Sequence, residues 1–426
     1  MTEQQTQQPA GPLAGVRVVD LTQALAGPFT TALLADLGAD VVKVEPPRGD
    51  MLRNVGPFHP DDERRPYGAV FGNANRNKRS LVLDLKAPEG REVLLELVDG
   101  ADAVVENFSL GVMDRLGLSY ETLAERNPKL VYTSIRGFGD TRGGESPYAD
   151  WPAFDIVAQA MGGLMSITGQ DRDSRVRVGS GIGDTAASLF AVYGTLAALF
   201  EAQRSGKGQY VDVAMVDAVL ALSEVVVNNY AYTGIAPEPM GNQLNGFAPF
   251  DVVPTKDGEV ALGAPHRAQW VKLCAAMERE DLVDDPRYAT DHARWLHREE
   301  VYEVLNEWTS RHSTEELVDL LAGQVPLGPV NTAADIFADP HFRTREMLPT
   351  VEVPGTADRV SVTGVVPKLS RTAGGVRHRA PLVGEHTAEI LRGLGYDEAR
   401  IAALTDAGAT TVPTAVPTET PEGAVR

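Results

Sequence analysis

The sequence predicts an α/β protein with a large parallel-sheet domain and a smaller α+β domain. In the first half of the chain, short apolar runs of strand length alternate with segments of helical length, which is typical of a parallel sheet covered on both faces. From about residue 234, a hairpin pattern and amphipathic helices replace this alternation. The length of 426 residues agrees with two or three domains.

Six strands are predicted in the first half, each as an apolar run bounded by turn residues. They cover residues 16–21, 40–45, 80–85, 103–106, 130–135 and 210–215. Helices are predicted at 28–37, 89–99, 120–126, from just after Asp184 to about 204, and at 217–232. Pro28 suits the first turn of its helix, because the amide that it lacks would be unpaired there. Ligands of such sheets bind beyond the carboxyl ends of the strands, so we expect a site there.

The second half predicts a small domain and a return to helices. A hairpin is predicted from residues 250–253 and 259–262, because the intervening Pro-Thr-Lys-Asp-Gly is a turn sequence. Helices are predicted at 269–277, 292–311, 314–321, 385–394 and 397–404, and paired strands within 351–366. The predicted domains are 1–215 for the large domain and 235–325 for the small one. Residues 410–426, rich in Thr, Pro, Ala and Glu, predict a disordered tail.

Composition excludes several classes of protein. With 39 Lys and Arg against 59 Asp and Glu, the net charge is −20, which argues against nucleic-acid binding. One cysteine excludes an internal disulfide and suits a reducing compartment. No run approaches the ~18 apolar residues that span a bilayer, and the polar N-terminus does not resemble a signal peptide. We therefore expect a cytoplasmic protein without membrane insertion.

One segment departs from the acidic average. Residues 73–91 carry a net charge of +3, and the cations are Arg76, Lys78, Arg79, Lys86 and Arg91. Taken alone, this pattern favours a solvated helix face followed by a turn. A gathering of cations is also what an anionic ligand would require on an otherwise acidic protein.

Motifs for common cofactors and nucleophiles are missing. The loop 22–28 has one glycine where a dinucleotide fingerprint has three, and in 179–183 the third glycine comes one position early. No G-x-S-x-G elbow occurs. Cys274 falls in an amphipathic helix, where a lone thiol usually packs, and His292 and His297 are five residues apart, which does not match a zinc pair. The sequence therefore predicts neither NAD nor a metal.

Asp184 has two interpretations. An aspartate before a long apolar helix commonly caps that helix. However, Gly179, Gly181 and Gly183 remove three side chains around one carboxylate, so that a ligand can approach the backbone closely. A helix N-terminus also offers partial positive charge to a developing oxyanion. The second interpretation is that Asp184 attacks a carbonyl.

Several segments, in this order and spacing, resemble the family III CoA-transferases, the group that includes formyl-CoA:oxalate and carnitine CoA-transferases. They are residues 12–50, 73–94, 101–118, 154–169, 181–199, 325–331, 339–348 and 380–391. The resemblance implies a Rossmann-like large domain, the return of residues 330–409 to that domain, and an interlocked homodimer. It covers nearly the whole chain apart from both tails.

The resemblance also implies site residues and a reaction. Asp184 would be a covalent nucleophile that carries CoA from an acyl-CoA to a carboxylic acid through an aspartyl anhydride and an aspartyl-CoA thioester. Coenzyme A would contact Ala24, Leu25, Ala26, Leu83, Lys86, Asn107, Phe108 and Arg115, and Phe154 and Asp155 would belong to the substrate pocket. Leu25 stands where formyl-CoA enzymes have glutamine, which argues against formyl or oxalate specificity.

Two alternatives remain open on the same scaffold. The α-methylacyl-CoA racemases resemble this chain at Gly183-Asp184 but have a His-Asp pair where this sequence has Phe154-Asp155. A racemase needs a second acid or base opposite the aspartate, which Phe154 does not supply, so transfer is favoured. The other alternative is a CoA-binding protein without catalytic activity. No sequence feature specifies the donor and acceptor acids; family habit suggests succinyl-CoA and a small di- or hydroxycarboxylate.

Overall fold

A computed structural model describes residues 11–62 and 67–413. The chain divides into two compact units. The first contains the chain up to Leu164, then Val178–Val227, then the chain from His341 onward. The second contains Met165–Arg177 and Asn228–Pro340.

The structure has eleven strands and seventeen α-helices within the described residues, each set numbered in chain order. The strands are Arg17–Asp20 (β1), Asp40–Glu45 (β2), Lys78–Val82 (β3), Ala103–Glu106 (β4), Val131–Arg136 (β5), Tyr210–Ala214 (β6), Phe250–Pro254 (β7), Glu259–Gly263 (β8), Leu327–Pro329 (β9), Thr350–Glu352 (β10) and Arg359–Ser361 (β11). The helices are Ala26–Asp36 (α1), Ala69–Ala74 (α2), Pro88–Asp99 (α3), Val112–Arg115 (α4), Tyr120–Arg126 (α5), Asp155–Met161 (α6), Ile182–Ser205 (α7), Met215–Leu222 (α8), Glu224–Thr233 (α9), Arg267–Ala276 (α10), Asp291–Leu296 (α11), Arg298–Thr309 (α12), Thr314–Leu321 (α13), Ala333–Ala338 (α14), Pro340–Thr344 (α15), Thr387–Gly393 (α16) and Glu398–Asp406 (α17).

A six-stranded sheet forms the centre of the first unit. Its order is β3-β2-β1-β4-β5-β6, and every neighbouring pair is parallel. One apolar cluster lies between one face and α3, α5, α16 and α17, and a second lies between the other face and α1, α7 and α8. The predicted α/β class, with a parallel sheet covered on both faces, is confirmed.

The second unit contains an antiparallel sheet of order β7-β8-β9. Its apolar core joins this sheet to α10, α12 and α13 and includes Trp270 and Cys274. Burial raises the pKa of the Cys274 thiol to about 12, so this cysteine is a packing residue, as its helical position indicates.

Most predicted elements of the first half have the observed type and nearly the observed bounds. β3 begins two residues earlier than predicted and ends at Val82. The helix predicted at 217–232 is two helices, α8 and α9, separated at Ser223, and that predicted at 292–311 is α11 and α12, separated at His297. The third strand of the small sheet, β9, was not predicted, because three residues give no readable alternation.

Two predicted boundaries also differ from the structure: the end of the large domain and the start of the tail. Residues 165–177 fall in the second unit, although the sequence places them in the large domain. Thr410, predicted to begin a disordered tail, is buried and donates a hydrogen bond to the carbonyl oxygen of Val82 at 2.6 Å. Residues 414–426 of that tail lie outside the described residues.

Helix α7 is the longest helix among the described residues, and by length and composition alone it is apolar enough to cross a membrane. Core helices of water-soluble proteins meet the same criterion. The buried face of α7, rich in alanine, packs against the sheet and α1. Its other face exposes Leu189, Tyr193 and Phe200, which are 57, 72 and 65% exposed. This second face is apolar without being covered by the described chain.

Candidate functional site

A cavity of about 340 Å³ lies beyond the carboxyl ends of β1, β4, β5 and β6. Its walls come from the segments that follow these strands and from the start of α7. The lining residues are Gln23, Ala24, Leu25, Ala26, Asn107, Phe108, Ser109, Leu110, Ile135, Arg136, Gly137, Ala149, Asp150, Trp151, Pro152, Ala153, Phe154, Asp184 and Met215. We call it the nucleophile cavity. Its position is the one expected for ligands of parallel sheets.

Asp184 lies in the first turn of α7, and its carboxylate lines the nucleophile cavity. The N-cap position is occupied by Gly181, so the interpretation of Asp184 as the capping residue is wrong. No residue that the structure describes donates a hydrogen bond to the Asp184 carboxylate. Burial and the nearby Asp155 raise the pKa of Asp184 to about 6. A carboxylate with these properties faces a ligand space rather than the protein.

Asp155 binds an amide in the first turn of α7. The backbone N–H of Gly183 donates to Asp155 Oδ1 at 2.7 Å. The side-chain amide of Gln159 donates to Asp155 Oδ1 and Oδ2 at 3.1 and 2.9 Å, and its Oε1 accepts from the N–H of Val178 at 2.9 Å. Gln159 is fully buried. Asp155 is therefore tied to the start of α7 and is not among the residues that line the cavity.

Glycine is required at position 183, whereas positions 179 and 181 have room for a Cβ. A Cβ on Gly183 would lie 2.9 Å from the Asp155 carbonyl oxygen and 3.0 Å from Ala158 Cβ. A Cβ on Gly181 would lie 3.4 Å from Leu25 and 3.5 Å from Asp184 Oδ2, and one on Gly179 would meet nothing within 4 Å. The close approach of α6 to α7 thus explains Gly183.

The loop after β1 carries Ala24, Leu25 and Ala26 into the nucleophile cavity. Asn107 holds this loop from the neighbouring strand, because its side chain accepts from the N–H of Gln23 and donates to the Gln23 carbonyl, both at 2.8 Å. Ala24 has a φ of 61°, in the left-handed region. The structure therefore brings seven predicted site residues around one space: Ala24, Leu25, Ala26, Asn107, Phe108, Phe154 and Asp184.

Two buried lysines in ion pairs also donate hydrogen bonds to the backbone of the same loop. Lys78 bonds to Asp20 and to the carbonyl oxygen of Pro28, each at 2.8 Å, and Lys43 bonds to Asp50 and to the carbonyl oxygen of Thr22. Although burial opposes the ionisation of Asp20, Lys78 and Lys43 lower its pKa to about 2. These charges fix the backbone that precedes α1.

The cations of residues 73–91 do not form a solvated face. Arg76 and Lys78 are buried in ion pairs with Asp36 and Asp20, and Arg79 pairs with Asp40 and Glu389. Arg91 donates to the carbonyl oxygens of Leu85 and Lys86. The interpretation of this segment as a solvated helix face plus a turn is therefore wrong, because three of its five cations are in ion pairs and two of these three are buried.

A second cavity, of about 470 Å³, lies beside the first and shares Gln23 and Phe108 with it. We call it the proline cavity. Its walls are Leu21, Gln23, Val44, Glu45, Pro46, Pro47, Arg48, Leu83, Asp84, Leu85, Lys86, Phe108, Val112 and Leu116. Three predicted residues, Leu83, Lys86 and Phe108, belong to it. Arg115 lines neither cavity and lies exposed on α4, between Val112 and Leu116.

Two cations line the proline cavity. Lys86 and Arg48 are exposed, and neither makes an ion pair or side-chain hydrogen bond with another residue that the structure describes. Arg48 was missed in the sequence, although its place directly after β2 and two prolines was a signal for a loop at the carboxyl edge of the sheet. Both cations are free to meet an anionic ligand.

Arg136 is a second site residue that the sequence did not reveal. It lies at the end of β5, lines the nucleophile cavity, and pairs with the buried carboxylates of Glu106 and Asp140. Phe154, the other predicted pocket residue, also lines this cavity and is 69% exposed. Its partner in that prediction, Asp155, binds the N–H of Gly183 and is not among the lining residues.

Comparison with known proteins shows the family. The family model described as CoA-transferase family III matches residues 13–387. The chain is 46% identical to the succinyl-CoA:mesaconate CoA-transferase of Haloarcula hispanica, over 89% of this chain and 96% of that protein. It is 39% identical to a succinyl-CoA–D-citramalate CoA-transferase of Chloroflexus aurantiacus, over 92% and 97% of the two chains.

A solved structure supports the same grouping. The crystal structure of a CAIB/BAIF family protein from Brucella suis is 37% identical and superposes with a TM-score of 0.80, covering 90% of this chain and 100% of that one. Enzymes of this kind use CoA thioesters as substrates. The chain therefore belongs to CoA-transferase family III and is a CoA-transferase.

Proposed function

We propose that this enzyme moves CoA from an acyl-CoA donor to a carboxylic acid through covalent intermediates on Asp184. The observation that carries the proposal is the Asp184 carboxylate itself, which lines a cavity and accepts no hydrogen bond from the described residues. Because burial and Asp155 raise its pKa to about 6, it is more basic than an ordinary aspartate while still ionised at neutral pH. Such a carboxylate is suited to attack a carbonyl.

The first half-reaction frees the donor acid. An Asp184 oxygen attacks the thioester carbon, the C–S bond breaks, and CoA leaves as the thiolate, so that a mixed anhydride remains on the enzyme. The thiolate then attacks the Asp184 carbonyl carbon. The C–O bond of the anhydride breaks, the donor carboxylate leaves, and Asp184 is left as a CoA thioester.

The second half-reaction runs the same bonds in reverse. The acceptor carboxylate attacks the Asp184 carbonyl carbon and expels the CoA thiolate, which forms a new mixed anhydride. The thiolate attacks the acceptor's acyl carbon, and Asp184 leaves as a carboxylate. No proton moves in the net reaction, so it needs neither a histidine base, a metal nor NAD. Exclusion of water protects the anhydride and thioester.

The proline cavity is the proposed CoA site. Its apolar walls suit the adenine ring, and Arg48 and Lys86 suit the phosphates. Arg115, exposed beside Leu116, is a third cation for the same ligand. Because Gln23 and Phe108 line both cavities, a bound CoA can extend from these cations toward Asp184. The predicted contacts at Ala24, Leu25, Ala26, Leu83, Asn107 and Phe108 form the path between them.

Succinyl-CoA is the proposed donor and a small dicarboxylate the proposed acceptor. Two relatives, named for mesaconate and D-citramalate, share succinyl-CoA as the other substrate in their names. The nucleophile cavity offers Arg136 as a cationic group on its wall. Leu25 lies where formyl-CoA enzymes have glutamine, so we do not propose oxalate.

A racemase on the same scaffold is less well supported. Proton exchange at an α-carbon needs a second acid or base opposite Asp184. Phe154 occupies the position of the racemase histidine, and the Asp155 carboxylate accepts a hydrogen bond from Gly183 in the first turn of α7. Transfer needs no second base and fits the residues present.

A second copy of this chain is the proposed cover of the exposed face of α7. Leu189, Tyr193 and Phe200 form an apolar stripe on the helix that carries Asp184, and stripes of this kind mark protein interfaces. The interlocked homodimer of the family would bury it.

The single, buried cysteine suits the reducing cytoplasm that we propose as the location.

Hydroxylamine trapping tests the nucleophile. The enzyme is incubated with succinyl-CoA and hydroxylamine, and the peptide containing Asp184 is analysed by mass spectrometry. We expect a hydroxamate on Asp184 that requires the donor, and none in Asp184→Asn. Asp319→Asn, which changes an exposed carboxylate on α13, should trap as the wild type does. A donor-dependent hydroxamate on another residue, or CoA transfer by Asp184→Asn at the wild-type rate, would overturn the assignment.

A further inference from the structure

We infer that Asp155 is a positioning residue for the nucleophile: it occupies the Gly183 amide at the start of α7, and thereby keeps the Asp184 carboxylate out of the helix cap and in the nucleophile cavity. This inference rests on the proposed function of Asp184. It assigns to Asp155 a role in the conformation of Asp184 instead of a contact with substrate.

Competition for the amides of α7 is the first step. A helix begins with unpaired N–H groups, and an acidic side chain in its first turn is drawn to them. Asp184 is such a side chain, and its N-cap residue, Gly181, has no side chain to compete. Asp155 supplies the missing acceptor from α6, with Oδ1 at 2.7 Å from the Gly183 nitrogen. Asp184 is thus relieved of the capping role.

The fixed position of Asp155 is the second step. Gln159 lies one turn further along α6 and donates to both oxygens of the Asp155 carboxylate. The same amide group accepts from Val178, so α6, the glycine-rich segment and α7 are joined through one buried side chain. Because a Cβ at position 183 would lie 3.1 Å from Asp155 Oδ1, the glycine is what allows the carboxylate to come so close.

The closeness of two carboxylates is the third step. Both carboxylates lie close to Gly181. A Cβ placed on this glycine would be 3.5 Å from Asp184 Oδ2 and 3.9 Å from Asp155 Oδ1. Asp184 loses its negative charge when it becomes an anhydride or a thioester. The negative charge of Asp155 therefore disfavours the free carboxylate of Asp184 relative to both covalent states, which shifts the enzyme toward its intermediates.

Other charges around Asp184 are few in the first unit. Arg136 and Asp150 line the same cavity, and Asp217 lies in the first turn of α8, which packs on α7. On α1, which also packs on α7, Asp36 is paired with Arg76. Asp155 is the group whose charge, together with burial, raises the pKa of Asp184. Substitution of Asp155 should therefore change the Asp184 titration more than substitution of Asp217.

The test separates the hydrogen bond from the charge. In Asp155→Asn, the new side-chain oxygen still accepts from Gly183, whereas the charge is lost. In Asp155→Ala, both are lost and Asp184 is free to turn toward the amides of α7. In the double variant Asp155→Asn with Gln159→Glu, the new amide can donate to the new carboxylate, which also accepts from Val178. That variant restores a negative charge next to the original one.

Two measurements are made on each full-length variant. Infrared difference spectra, with Asp184→Asn as the reference, give the midpoint of the Asp184 titration without any substrate. Intact-protein mass spectrometry at a fixed succinyl-CoA to succinate ratio gives the fraction of enzyme carrying CoA on Asp184. Asp217→Asn serves as the matched control, and thermal unfolding confirms that each variant is folded.

We expect Asp155→Asn to lower the Asp184 midpoint by about one pH unit and the ratio of CoA-bearing to free enzyme by about tenfold. Asp155→Ala should lower both further, because a carboxylate that accepts backbone amides has a lowered pKa. The double variant should recover part of both losses. Unchanged midpoints in folded Asp155→Asn and Asp155→Ala would overturn the inference. If the wild type carries no CoA on Asp184, the proposed function fails, and the infrared titration still decides the role of Asp155.

Discussion

Arg136 donates a hydrogen bond from Nε to the carbonyl oxygen of Phe108 at 3.1 Å. The N–H of Phe108 is held by Glu106 at 2.8 Å, and Glu106 in turn bonds to Arg136 at 2.9 Å. The backbone of Phe108 is thus fixed on both sides by one ion pair. Because Phe108 lines both cavities, this ion pair sets the shape of the passage between them.

Arg136→Lys should weaken acyl-CoA binding without unfolding the protein. Lysine keeps a positive charge beside Glu106 and Asp140, but it lacks the planar fork that reaches Phe108 as well. We expect the KM for succinyl-CoA to rise by about tenfold, which corresponds to the loss of one charge-assisted hydrogen bond. Steady-state kinetics check this, and Arg126→Lys, in an exposed ion pair with Asp99, is the control. An unchanged KM would show that Phe108 does not depend on Arg136.

The rate of enzyme acylation should fall as the pH drops through about 6, where Asp184 becomes protonated. An aspartate with an ordinary pKa of about 3.9 would stay ionised and active well below that pH. Single-turnover release of succinate from succinyl-CoA, measured between pH 4.5 and 8 as a range chosen about the expected midpoint, tests this. A rate that remains constant to pH 5 would mean that Asp184 is not the group that must be ionised.

Asp184→Asn should stabilise the protein at alkaline pH. Because the pKa of Asp184 is raised on folding to about 6, its contribution to stability is fully present below the unfolded pKa and is lost as the pH rises through the folded value. Removing the charge should therefore increase the free energy of unfolding at pH 8 by at most about 3 kcal/mol. Thermal unfolding at pH 8 and pH 5 should show a smaller gain at pH 5. An equal gain at both pH values would contradict the titration.

Arg48→Gln and Lys86→Gln should each raise the KM for acyl-CoA with little effect on the turnover of bound substrate. Both cations line the proline cavity, and exposed phosphate contacts are modest, so we expect an increase of about fivefold for each. The effect should shrink at high salt, because screening weakens such contacts. Lys256→Gln, on the exposed turn after β7, is the control. Equal kinetics for all three variants would place CoA elsewhere.

The sequence predicted the sheet well because each strand contains a short apolar run that is buried against helices on the two faces. Local patterns also placed Asp184 at the start of a helix near several glycines. The partners of the buried charges could not be predicted in this way. Arg76 is 40 residues from Asp36, and Lys78 is 58 residues from Asp20, so the cations of this segment read as exposed until the fold pairs them.

The hydrogen bond of Asp155 could not be predicted for the same reason. Its sequence neighbour Phe154 does line the nucleophile cavity, but successive residues at a helix start point in different directions. Only the packing of α6 on α7 shows that Asp155 reaches Gly183. A short-range pattern could single out Asp184 as a candidate, whereas the hydrogen bond of Asp155 to Gly183 depends on contact between two helices.

Gly183→Ala should impair catalysis more than it impairs folding. The added Cβ would lie 2.9 Å from the carbonyl oxygen of Asp155 and 3.0 Å from Ala158 Cβ, so α7 must move away from α6 and lengthen the bond between Gly183 and Asp155. Overpacking of this kind costs about 1–3 kcal/mol of stability, and displacement of a reacting group by about 1 Å can cost 100-fold in rate. Thermal unfolding and single-turnover acylation measure the two effects. Gly179→Ala, whose Cβ would meet nothing within 4 Å, should change neither. Full activity in a Gly183→Ala protein would mean that the contact between α6 and α7 does not control Asp184.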